Sequence, residues 1–98
     1  MDQPDPAIHQ PIRLKIMAAL RAPPPREYLE FTRLRAIVGA TDGNLGAHIA
    51  TLEQAAYIEV EKEFVRKKPR TRVRLTKAGR RAFESYLAFL REIVGEDQ

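Results

Sequence analysis

Nine lysines and arginines fall at positions 66, 67, 68, 70, 72, 74, 77, 80 and 81, with no acid among them. The chemistry open to such a block is the neutralisation of a polyanion, because each cation donates charge-assisted hydrogen bonds and displaces condensed counterions. The formal net charge of +4 understates the concentration, since the rest of the chain holds eight basic and thirteen acidic residues. A second set could discriminate as well as attract. Gly43, Asn44, Ala47, His48 and Thr51 combine an amide, an imidazole and a hydroxyl with residues small enough to admit a close partner. Amides of this kind bond bidentately to complementary donor and acceptor pairs.

Other chemistries have less to build on. The chain has no cysteine, which excludes disulfides and thiolate sites, and its two histidines, His9 and His48, stand far apart, so neither a metal nor a cofactor is expected. No Ser-His-Asp set, carboxylate pair or glycine-rich phosphate loop occurs in a suitable setting, and an enzyme is not expected. No apolar run nears the ~18 residues of a membrane span, and the charge-rich opening Met1–Pro11 lacks the apolar core of a signal peptide. The expectation is a cytoplasmic chain forming one domain over 1–98, with 44% hydrophobic residues for a modest core.

The elements that must position the two sets follow from periodicity. Pro4 and Pro6 in a stretch without pattern make 1–7 a mobile arm, and Ile12, Ile16, Met17 and Leu20 mark a first amphipathic helix from about Ile8, with Leu14 off its stripe. Pro23, Pro24 and Pro25 end it, and Tyr28 and Leu29 suit a very short strand. Phe31, Leu34 and Val38 give a second helix closed by Gly39, and Thr41 is placed to cap a third, over about 42–55, whose buried stripe is Leu45, Ile49 and Leu52. The polar and small set then occupies the opposite face, with Ala50 and Gln54.

From Ile58 to Leu75 alternation of period two on both sides of a short break predicts a hairpin. With its turn centred on Lys67–Lys68, Glu63 would face Arg72, Glu61 would face Arg74 and Val60 would meet Leu75. The tip residues Arg66, Lys67, Lys68 and Arg70 would lack acidic partners. Thr76 then caps a last helix over 76–94. It carries two apolar stripes, one of Phe83, Leu87, Leu90 and Val94, the other including Tyr86, Phe89 and Ile93. One small core needs a single stripe, so the other predicts a symmetric homodimer. A cleft at the dimer interface, lined by Tyr86, Phe89 and first-helix residues, is the candidate place for an effector, whose existence and identity the sequence leaves unknown.

Thr41-Asp42-Gly43-Asn44-Leu45, His48-Ile49, Leu52-Glu53, Tyr57-Ile58, Lys68-Pro69-Arg70-Thr71 and Leu75-Thr76-Lys77-Ala78-Gly79-Arg80 resemble the small winged-helix regulators related to the multiple-antibiotic-resistance and arsenical-resistance repressor families. The resemblance runs from His9 to Ile93. It implies a mainly α fold with a small β-hairpin (α+β): helix-turn-helix 31–55, wing 57–75 and a C-terminal dimerisation helix 76–94. It also implies sequence-specific binding of double-stranded DNA by a prokaryotic transcription regulator, with Thr41, Gly43, Asn44, Ala47, His48 and Thr51 in the major groove. Arg66, Lys67, Lys68, Arg70, Arg72, Arg80 and Arg81 would contact the phosphate backbone. The alternative is a winged helix used for protein–protein contact. Two positions depart from the pattern: Ala56 stands where relatives end the recognition helix with glycine, and Gly46-Ala47 where they carry serines.

Overall fold

A computed structural model describes residues 4–95, in the order α1 (Pro11–Arg21), β1 (Leu29–Glu30), α2 (Phe31–Val38), α3 (Asp42–Gln54), β2 (Ile58–Val65), β3 (Lys68–Leu75) and α4 (Lys77–Val94). The three strands form one antiparallel sheet with β3 in the middle. Core side chains come from every layer. Ile16, Met17 and Leu20 of α1 meet Leu34 and Val38 of α2, Leu45, Ile49 and Leu52 of α3, and Ile58, Val73 and Leu75 of the sheet. Burying each of these side chains contributes about 1.5–3 kcal/mol before conformational entropy is charged against it.

Local chemistry sets the helix ends. Gln10 precedes α1 and its side chain accepts from the Arg13 amide at 2.9 Å, while Pro11 occupies the first helical position, where no amide donor is needed. Gly39 closes α2 at φ 76°, a left-handed conformation that glycine adopts without a Cβ clash. Thr41 caps α3 by accepting from the Asn44 amide at 3.2 Å. Arg35 of α2 pairs with Asp42 in the first turn of α3, which ties the two helices across the turn.

The segment before α1 is more ordered than its composition suggests. Asp5 accepts from the amides of Ala7, Ile8 and His9, Ile8 is fully buried in the core, and the Tyr57 hydroxyl donates to the Asp5 carboxylate. This hydrogen bond, with burial and the carboxylate charge behind it, pushes the Tyr57 hydroxyl up to about 12. The mobile arm expected over 1–7 is therefore fastened from Asp5 onward, and residues 1–3 lie outside the described residues.

The hairpin register differs by two residues from that expected. Glu61 faces Arg72, Glu63 faces Arg70 and Val60 faces Val73, because the turn is the two-residue pair Arg66–Lys67 and not Lys67–Lys68. Both turn residues have positive φ, 53° and 66°, the conformation whose twist matches that of flanking antiparallel strands. A slip of two leaves every side chain on its expected face, so Ile58 and Val73 still enter the core.

The last helix also sorts its apolar residues differently. Phe83 and Tyr86, assigned above to separate stripes, are both 4% exposed and pack into the same core. They are thereby removed from the set available to a partner subunit. Ile93 and Val94 remain 61% and 68% exposed, and Leu87, Phe89 and Leu90 are half-buried at the edge of the core.

Candidate nucleic-acid interface

Because Leu45, Ile49 and Leu52 are buried, α3 turns the opposite side to solvent, and Gly43, Asn44, Ala47, Ala50, Thr51 and Gln54 are all exposed. Thr41 bonds the Asn44 backbone amide, while the Asn44 side chain has no partner among the described residues. The Thr51 hydroxyl donates back to the Ala47 carbonyl at 3.3 Å, which leaves its lone pairs outward as acceptors. His48 lies half-buried at the margin, with Nδ1 3.0 Å from the Arg13 guanidinium of α1. Burial and that neighbouring cation hold the His48 pKa below its ordinary value.

The cations of the wing fall into two groups. On the outer face Arg72 is bound to Glu61, lies 3.6 Å from Glu63 and stacks its guanidinium 4.4 Å from the Tyr28 ring centre. Arg74 pairs with Glu59 at 2.7 Å and lies 4.7 Å from the same ring. Arg70 pairs with Glu30 of β1 at 2.8 Å, so the expectation that it lacks an acidic partner is corrected: β1 brings a carboxylate beside it that hairpin alternation alone does not reveal. Arg66, Lys67 and Lys68 at the tip, and Arg80 and Arg81 in α4, have no acidic partner among the described residues.

The tip cations also sit where turn chemistry disfavours them. Left-handed backbone costs a residue bearing a Cβ roughly 1–2 kcal/mol, and Asn-Gly is the usual choice for this turn. Arg66 and Lys67 occupy it instead. In α4, Lys77, Arg80 and Arg81 face the positive end of the helix dipole with no acid in the first turn. Local stability is lowered at both places in favour of positive charge.

Between these regions a tight joint links α3 to α4. Ala56 adopts φ 66°, Thr76 donates its hydroxyl to the Ala56 carbonyl at 2.7 Å, and the Thr76 amide donates to the Tyr57 carbonyl at 3.0 Å. Gly79 lies so close that a Cβ there would come 1.9 Å from the Tyr57 oxygen. Sequence reasoning picked out Ala56 and Thr76 but not the contribution of Gly79, nor those of Arg13, Tyr28 and Glu30. Each of those contacts joins elements remote in the chain.

A cleft of about 630 Å³ opens beside Tyr86 and Phe89. Its other walls include Pro4, Asp5, Pro6 and Tyr57. Among the described residues no His, Cys, Asp or Glu side chains cluster in a way that would hold a metal ion, and no helix is long and apolar enough to cross a membrane.

Residues 12–94 match the family model described as a winged helix DNA-binding domain. An uncharacterised protein of Methanocaldococcus jannaschii is 36% identical over 76 residues, covering 78% of this chain and 79% of its own. Among solved structures, a transcriptional regulator homologue from Pyrococcus horikoshii OT3 superposes with a TM-score of 0.79 at 30% identity, over 94% of this chain and 89% of that one. A Salmonella typhimurium protein with the same arrangement has a TM-score of 0.72 at 22% identity, over 89% of this chain and 74% of its own, a likeness of fold alone.

Proposed function

We propose, since the chain belongs to the winged helix DNA-binding domain family and is a DNA-binding transcription regulator, a division of labour between its two surface sets. The exposed side of α3 enters the major groove, where Gly43 and Ala47 let its backbone approach. Asn44 reads a base edge there, and Thr41, His48 and Thr51 make further contacts. Arg66, Lys67 and Lys68 at the wing tip, with Arg80 and Arg81 of α4, bind phosphates and supply most of the affinity. Arg70 and Arg72, held by carboxylates, hold the wing in shape instead.

The observation that carries this reading is that Arg66, Lys67, Lys68, Arg80 and Arg81 have no acidic partner among the described residues, while the first two occupy a turn whose conformation disfavours them. A protein-binding use of the fold has no need of them. The regulator acts as a cytoplasmic homodimer through the exposed end of α4 and has no catalytic activity of its own; Ile93, Val94 and the half-buried Leu90 support the dimer.

Asn44→Ala tests the base-reading role. It should weaken binding to the cognate duplex by about 1–3 kcal/mol and leave a scrambled duplex almost unaffected. Equal losses on both duplexes, accompanied by a lower melting temperature, would assign Asn44 to helix stability and end its role in reading.

A further inference from the structure

Arg13 and His48 belong to different helices and meet side chain to side chain, with Nη1 of the guanidinium 3.0 Å from Nδ1 of the imidazole. A guanidinium carries five N–H donors and no lone pair, so the imidazole nitrogen that faces it can only accept. The ring proton must then reside on Nε2. Arg13 is not free to turn away, because its Nε donates to the Ala7 carbonyl at 2.6 Å and its Nη2 to the Pro6 carbonyl at 3.4 Å. Protonation of the ring would set one N–H against another and place two cations in contact. Among the described residues, Arg13 is the charge that acts on this imidazole.

We propose that Arg13 is a positioning residue that fixes His48 as a neutral donor with a single N–H, offered from the recognition helix to an acceptor on the duplex. This rests on the duplex reading above and adds a chemical selection to it. A nitrogen that only donates takes a phosphate oxygen, guanine O6, N7 of either purine, or thymine O4 as partner, and rejects the exocyclic amines of adenine and cytosine. The N-terminal segment takes part in this, since its carbonyls orient the guanidinium that orients the ring.

Nitrogen-15 NMR of the free protein at pH 7 should show Nδ1 unprotonated and Nε2 protonated at His48. Arg13→Met should convert this to a mixture of tautomers and raise the His48 titration toward 6.5, whereas Arg13→Lys, which keeps a donor without a lone pair, should preserve the wild-type state. On DNA, His48→Leu should lose about tenfold in affinity, and His48→Gln, whose amide N–H lies near the position of Nε2–H, should stay within about threefold. Loss on cognate and scrambled duplexes alike identifies a phosphate as the acceptor; loss on the cognate alone identifies a base. An Nδ1–H tautomer in the wild type, or a tautomer unchanged in a folded Arg13→Met, would overturn the positioning role. Full affinity in His48→Leu, with Lys67→Ala still weakening binding, would overturn the donor role while the duplex reading survives. If the wild type bound no duplex, that reading would fall with the donor's target, and the NMR result would still decide what Arg13 does.

Discussion

Ala56 bears a Cβ where the backbone has turned left-handed, at φ 66°. Ala56→Gly should therefore stabilise the protein by about 1 kcal/mol. In a thermal scan a domain of this size should respond with a rise of roughly 4–8 °C in Tm. An unchanged or lowered Tm would mean that the glycine's greater freedom in the unfolded chain offsets the relieved strain. This strain was legible only through the resemblance, because the related regulators end the recognition helix with glycine at that point. The same conformation at Arg66 and Lys67 was not legible. Neither residue signals a tight turn, and the expected turn accordingly fell one residue late.

Among the elements, the helix-turn-helix was readable almost to the residue, since its buried stripes, its Gly39 stop and its Thr41 cap are all local features. The sheet was half readable. Alternation fixed which side chains face the core, but ion pairing across strands depends on register and on β1, a strand of two residues that leaves almost no periodic trace. The resulting ladder gives the wing two kinds of arginine with opposite expected behaviour. Lys67→Ala should lower the magnitude of the log–log salt slope of DNA binding by about one, as expected for one lost phosphate contact. Arg72→Ala should leave that slope almost unchanged, because its guanidinium already lies between Glu61, Glu63 and the Tyr28 ring. Titrations of both variants over a range of salt concentration check this. A full unit lost in Arg72→Ala would place the outer face of the wing on the backbone.

At the scale of the molecule, the apolar surplus of α4 was legible as a surplus, while its division was not. Helical spacing puts Phe83 and Tyr86 on neighbouring rows of one broad face, but how much of that face turns inward depends on how α4 lies across α1 and the sheet. What remains outside is Ile93 and Val94, with Leu90 beside them. Sedimentation at micromolar concentration should report a dimer for the wild type and a monomer for the Ile93→Ser, Val94→Ser double variant. Because both positions are exposed, the variant's monomer should stay folded, and its DNA affinity should drop as the second half-site is lost. A wild type that sediments as a monomer would remove the basis for two-fold recognition.

The packing of Gly79 against the Tyr57 carbonyl leaves the end of α3 and the start of α4 no slack for a side chain, let alone a hinge. The two helices thus behave as arms of one bent lever. An 18-residue helix is about 27 Å long, so tilting α4 by about 10° at its far end corresponds to a displacement of about 5 Å. That exceeds the ~3.4 Å between successive base pairs. In a dimer joined at the tips of such levers, the angle at the subunit junction becomes a calliper setting for the distance between the two recognition helices. One inserted or deleted base pair between half-sites would then exceed its tolerance, and a subunit junction that rocks by about 10° would release the duplex without any rearrangement inside either domain.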